Sequence, residues 1–482
     1  MSKAIEILDK LNKTEIFRFE KFINSEYFEI QNYVRKFYFE FKKFLSIKKL
    51  TQNDKIEIYK KLYPTAKYND ITFRKLTSEL LKLLKLFLAI QEFGNDKYGK
   101  KINYIRQLKK LNLNDLALRE IKKLEYELSN DIYSIKNLHS DYSLALEEMI
   151  TPIKSSQFDE LKFINKVENK LLSYSISEFL DFYSHLLHQS KYIHKKTHRY
   201  LFLEYIMDFL KKNIDQVNEY SILYYKKILL YLEPENISNY KELKTLFYKN
   251  LHKLNRTSVN NMFAVLHSYI NDRILSGDKK YLKDKSELFA KVFFENNSPE
   301  KINFVILFIA VETYLQLRDF EKAKNLIDKW GLLLPESLQT DTVKLCNAAL
   351  FFYNNKFGES LEALSKIKNN DYFFNMKIKD FRLMIFIENK DYENAIYLIN
   401  TYRTFLTKES ALSDLYKLPP LNFCKGCLYL ISLEAKFNAN IEFKFIKLLN
   451  NNKLIAYKWW LENKFNKLKK YDTKNNKSYS KQ

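Results

Sequence analysis

At 482 residues the chain has room for several domains or one long repeat array, and 46% hydrophobic with 29% charged residues excludes a disordered polymer. Only 6 Gly and 7 Pro occur, too few for the hairpins and βα loops of an all-β or α/β protein of this size. The formal net charge is +23, and 3 cysteines, Cys346, Cys424 and Cys427, exclude a disulfide scaffold and suit a reducing compartment.

Scarce Gly and Pro with abundant Leu, Lys and Glu predict long helices joined by turns of Asn, Asp and Ser. The start, MSKAIEILDK, carries Glu6 and Asp9 and no apolar core, so no secretory signal is expected. Residues 1–95 read as a basic helical N-terminal cap domain. Residues 1–110 hold 25 Lys/Arg against 13 Asp/Glu, a net of +12, while 464–482 hold +6. Excess at both ends points to an anionic partner or to a solvated surface. Within 50–84, two helices flank a turn around Pro64 to Asn69, with Arg74 and Lys75 on the second. That pattern fits a helix-turn-helix, but the second helix is heavily apolar and reads better as part of a cap.

Residues 96–300 read as an irregular helical-repeat region. Leu76, Leu80, Leu83, Leu84 and Phe87 form one helical stripe, and Ile121, Leu124 and Leu128 another. GNDKYGKK (94–101) has the phosphate-loop glycines Gly94 and Gly99 with Lys100, but Lys101 replaces the Ser or Thr that holds magnesium. It also follows a helix, so it reads as an inter-helix turn. His185, His188, His194 and His198 crowd one basic stretch. His194 and His198 are four apart, a spacing that can present both to one metal, yet no carboxylate completes a site, so no metal is assigned. The longest apolar run, Ile302 to Val311, is far shorter than the roughly 20 residues of a membrane helix.

Residues 301–418 carry a repeat. DFEKAKNLI, KFGESLEAL and DYENAIYLI align on Phe320, Phe357 and Tyr392, separated by 37 and 35 residues. Three residues on stand Ala323, Ser360 and Ala395. Seven residues on stand Ile327, Leu364 and Ile399, and six residues before stand Tyr314, Phe351 and Phe386. The large residues fill the wedge where two antiparallel helices meet. The small one lets the axes approach, and the aliphatic one seals the pair. These units resemble the tetratricopeptide repeat, whose period is about 34 residues, and Pro335 stands where that family closes a repeat. The small position of the first helix is kept only at Ala348, since Val311 and Leu383 occupy it in the other units. LNDLALREI (113–121), with Ala117, is a possible upstream unit.

Residues 419–470 read as a C-terminal helical cap after a break at Leu418 to Pro420, and 471–482 as a disordered basic tail. CKGC (424–427) has redox or zinc spacing, and a place near a helix start would lower a thiol pKa. Without a second pair it reads as structural. The opening LNKTEIFRFEKFINSEYF (11–28) and the closing Trp460, Leu461 and Lys464 resemble a poorly characterised bacterial family of helical-repeat proteins of this length, in which a proline is expected where Glu26 stands. That resemblance brings no activity.

The expectation is therefore an all-α protein: a right-handed α-solenoid of antiparallel helix pairs between helical caps. No catalytic motif occurs, and no catalytic or cofactor-binding residue is assigned. The function expected is a non-enzymatic, cytoplasmic scaffold taking a partner peptide in its groove. The alternative is a nucleic-acid-associated regulator using the basic N-terminal region.

Overall fold

The computed structural model describes residues 3–44, 50–151, 160–192, 200, 202–294, 303–408, 414–451 and 454–479. Among the described residues the chain is all-α, and the one β-type pairing is an isolated parallel bridge between Tyr133 and Leu254. The chain forms two compact units, Met1–Asn130 with Ser140–Val167, and Asp131–His139 with Glu168–Gln482.

The first unit opens with α1 (Lys3–Lys10), α2 (Lys13–Ile23), α3 (Asn32–Lys42), α4 (Gln52–Leu62) and α5 (Asp70–Asn95). Local chemistry sets their starts. Asn12 and Glu15 form a capping box on α2, Thr51 and Asp54 another on α4, and the Asn69 side chain accepts from Thr72 N at 3.1 Å on α5. The apolar stripe of α5, from Phe73 through Leu76, Leu80 and Leu84 to Phe87, is buried. Phe87 meets the rings of Phe19 and Phe22 at 5.2 and 5.7 Å, in a core drawn wholly from residues between Ala4 and Phe87. α6 (Lys97–Lys110) and α7 (Asn114–Ser129) build a second core around Ile105, Ala117 and Ile121.

Helices α8 (Ile135–Met149) and α9 (Glu160–Tyr192) contribute to both units. Buried Glu147 on α8 accepts from Arg106 at 2.7 Å and Lys109 at 2.8 Å. Burial pushes its pKa up, but those two bonds outweigh burial and hold the carboxyl below its usual range.

The second unit continues with α10 (Leu203–Lys212), α11 (Glu219–Leu232), α12 (Ile237–Asn250), α13 (Arg256–Leu275), α14 (Tyr281–Phe289), α15 (Phe304–Gln316) and α16 (Phe320–Trp330). Then follow α17 (Glu336–Tyr353), α18 (Phe357–Ser365), α19 (Tyr372–Glu388), α20 (Tyr392–Lys408), α21 (Asp414–Ala435), α22 (Ala439–Asn451) and α23 (Lys458–Tyr479). A π-type turn, Ala290–Phe294, extends α14. Consecutive helices pair: α11 with α12, α13 with α14, α15 with α16, α17 with α18, α19 with α20 and α21 with α22. From α15 onward each odd-numbered helix also packs on the next odd-numbered one, and α21 on α23.

Four helices close with one kind of turn. α6, α15, α17 and α19 each end on a left-handed residue, Asn112, Arg318, Asn355 and Lys390, at φ between 60° and 64°. In each, the next amide reaches back five residues: Leu113 to Leu108 O, Asp319 to Tyr314 O, Lys356 to Phe351 O and Asp391 to Phe386 O, at 2.8–2.9 Å. This is the Schellman closure of a helix C-terminus. Ala323, Ser360 and Ala395 have no exposed surface, and Ser360 Oγ donates to Ala348 O at 2.8 Å across the pair.

Two expectations need correction. The break placed at Leu418 to Pro420 does not occur, because α21 runs through both prolines. And α23 is helical through Tyr479, past the start of the tail read as disordered, since no Gly or Pro after Tyr471 stops it.

Candidate functional site

The chain between α22 and α23 returns across the preceding helices of its own unit. Non-helical residues 454–457 are held by their backbone. Asn422 Nδ2 donates to Leu454 O at 2.9 Å, and Ala456 N donates to Pro419 O at 3.0 Å. Tyr457, a left-handed residue at φ 51°, is buried against Phe381 and Phe423, and its hydroxyl accepts from Lys377 Nζ at 2.9 Å. Lys458 Nζ donates to Ser276 O at 3.0 Å, and the Trp459 ring stacks on Tyr353 at 5.8 Å. Trp460 Nε1 and Lys464 Nζ both donate to the Glu388 carboxylate at 2.9 Å. Leu461 is buried over Gly426, where a Cβ would stand 2.7 Å from it. The closing Trp-Leu-x-x-Lys segment thus fastens α23 to α19 and α21.

This segment walls one side of a cavity of about 510 Å³, which α13, α14, α15, α19 and the start of α21 complete. Most of the wall is apolar, with Phe263, Ile306, Ile309 and Met376 facing it. Besides the half-buried Asp272 and Lys458, four charged side chains line it: Lys285 from α14, Glu312 from α15, and Lys377 and Asp380 from α19. All four are buried or nearly so. Lys377 Nζ lies 3.7 Å from Glu312 and 3.8 Å from Asp380. Asp380 also accepts from Tyr402 OH at 2.7 Å. Burial pushes the Asp380 carboxyl up to about 6, against the pull of Lys377. Burial pulls the Lys285 ammonium down to about 8, opposed by Glu312. Burial, then Lys285, takes the His267 imidazole down to about 3, so it is neutral at physiological pH. Several polar atoms remain unanswered. Glu312 Oε1, His267 Nε2 and Trp459 Nε1 have no hydrogen-bond partner, and Lys285 has only Asn271 Oδ1 at 3.5 Å. Such groups are costly to bury, and clefts that gather perturbed charges are binding-site candidates.

No residue singled out from sequence as a possible ligand-holder carries this site, apart from His188 at its edge. His188 Nδ1 is hydrogen-bonded with Tyr231 OH at 2.9 Å. His185 lies 3.6 Å from Asp181 and 3.3 Å from Asn261. His194 and His198 lie outside the described residues. Among the described residues no three His, Cys, Asp or Glu side chains are grouped to hold a metal ion. Gly99 sits in the first turn of α6, its amide capped by Asp96 at 3.2 Å, and Lys100 Nζ donates to Gly94 O. The glycines of GNDKYGKK therefore serve the α5–α6 junction. The cysteine pair corrects an expectation. α21 starts at Asp414, so Cys424 and Cys427 lie in mid-helix, buried, and burial pushes Cys424 up to about 12 and Cys427 up as well. A helix start would have lowered both.

The cavity's charges had one legible signal: Glu312 stands alone in the apolar sequence FVILFIAVETYLQ of α15. No known protein family, curated protein or solved structure matches the chain. No helix among the described residues is long and apolar enough to cross a membrane.

Proposed function

We propose that the protein is a non-enzymatic scaffold, a right-handed solenoid of tetratricopeptide-like helix pairs that receives a peptide segment of a partner protein. The recurring left-handed turn and the packing of each odd-numbered helix on the next support the repeat reading. The observation that carries the binding reading is the segment 454–457. Helix faces of α19 and α21 already hold a non-helical piece of chain through side chain-to-backbone and backbone-to-backbone bonds and an aromatic side chain. Peptide recognition uses that same combination of backbone bonds and side-chain pockets. Three unbridged thiols fit work in the cytoplasm.

The test is fluorescence-anisotropy screening of a library of short peptides rich in Tyr and Lys against the full-length protein and its Tyr457→Ala variant. Loosening the resident segment should raise peptide affinity about tenfold. Binding by neither form would defeat the reading. One observation favours a second reading, nucleic-acid association. α5 exposes a basic stripe of Arg74, Lys75, Lys82 and Lys85 opposite its buried face, so this helix does present the polar surface its apolar composition argued against. Charge reversal of these four should flatten the salt dependence of any RNA or DNA binding.

A further inference from the structure

From the geometry of the cavity beside residues 454–459 we infer a small-molecule site for an α-amino acid with an apolar side chain, its carboxylate on Lys285 and its ammonium on Glu312. The inference is independent of the peptide reading. It starts from the charges left over once internal pairs are counted. Lys377 is matched by Glu312, Asp380 and Tyr457, and Asp380 by Lys377 and Tyr402. Among these four buried charges, what stays unsatisfied is one cation, Lys285, with a single long bond to Asn271, and one anionic oxygen, Glu312 Oε1, with none. The two feel each other, since Glu312 raises the Lys285 pKa, yet they form no ion pair within 4.0 Å. A ligand placed between them must offer negative charge to one and donors to the other.

That requirement sorts the chemical classes. A phosphate or other multivalent anion would face the Glu312 and Asp380 carboxylates. A metal ion would face two ammonium groups, and no cluster of metal-binding side chains is present among the described residues. A purely apolar ligand would leave every orphaned polar atom unpaired. A zwitterion satisfies both ends at once, and charge-assisted bonds of this kind are the strong ones. The neutral His267 Nε2 and the Trp459 indole N–H give further partners at the polar end. Phe263, Ile306, Ile309 and Met376 form an apolar bed for the side chain. A volume of about 510 Å³ lies in the range of small-ligand sites. The π-type turn Ala290–Phe294, just past Lys285 and Phe289, is an irregularity common beside binding sites.

The experiment is isothermal titration calorimetry of the purified full-length protein at neutral pH with each standard L-amino acid in turn. Apolar members should bind. For the best binder, the methyl ester and the deaminated 2-hydroxy acid should each bind at least about tenfold more weakly. Glu312→Gln, which keeps shape and loses charge, should weaken binding about tenfold, and Lys285→Met should remove it. Circular dichroism melts check that both variants fold; should Lys285→Met not fold, Glu312→Gln and the two analogues decide. Heat signals for no amino acid, or an ester or hydroxy acid that binds as tightly as its parent amino acid, would overturn the proposal.

Discussion

Lys390 adopts φ 61°, a conformation that costs an L-residue about 1 kcal/mol and glycine almost nothing. Its amide closes the turn, and no side-chain bond is needed to hold it there. Lys390→Gly should therefore stabilise the protein by about 0.5–1 kcal/mol, read as a raised denaturant midpoint. Arg318 is the poorer choice, because its guanidinium donates to Tyr353 O at 3.0 Å. Asp380 gives a pH-dependent case. Its pKa rises on folding from 3.8 to about 6, so the folded chain keeps a proton that the unfolded chain releases across that window. Stability from this group is full below pH 3.8 and is lost as pH climbs toward 6. Asp380→Asn, which mimics the protonated form, should gain on the wild type across that window by about 1–3 kcal/mol and hold its gain above it. Urea midpoints at acidic and neutral pH measure this. At this scale the sequence was legible in part. The recurring spacing of aromatic, small and aliphatic residues was visible in the sequence, but the left-handed conformation of Arg318, Asn355 and Lys390 was not. Nothing in an Arg or Lys announces φ > 0 as Gly would.

Helix boundaries follow local chemistry: α4 ends just before Tyr63-Pro64, α11 before Glu233-Pro234 and α13 before Ser276-Gly277, while α17 starts right after Pro335. Pro419 and Pro420 differ because α21 continues through them and the Pro419 carbonyl accepts from Ala456, an acceptor–donor pair made by tertiary structure. No local signal carries that. The Trp-Leu-x-x-Lys segment was visible as a motif, whereas its partner Glu388 lies 72 and 76 residues away from Trp460 and Lys464. Glu388→Ala removes the acceptor for both donors. It should cost about 1–3 kcal/mol and speed amide hydrogen exchange across the first turns of α23, with the Lys390 turn little changed. Unaltered exchange in α23 would mean that Leu461 against Gly426 suffices to dock it.

At the scale of the molecule, the two units have separate cores, so they should unfold separately. Phe87→Ala, which empties the junction of the Phe19 and Phe22 rings, should cost about 3–5 kcal/mol and shift one thermal transition while leaving the other in place. Calorimetry reads both. All-α character was legible because helical periodicity and lack of turn residues are compositional. The cavity was not, because Lys285, Glu312, Lys377 and Asp380 come from three helices that only packing brings together. Histidine density pointed to His185 through His198, while the half-buried His267 of the cavity has no histidine beside it in sequence.

The exchange of chain between units has a consequence for synthesis on the ribosome. Residues 131–139 belong with sequence that follows Glu168, and Tyr133 N donates to Lys253 O. That amide must therefore wait for some 120 further residues to emerge, about 6–24 s at ordinary elongation rates. The earlier unit waits less long, only until Ser140–Val167 has emerged. Vectorial folding is postponed here by topology, and a nascent chain stalled before Lys253 would leave residues 131–139 without their partner and open to chaperones.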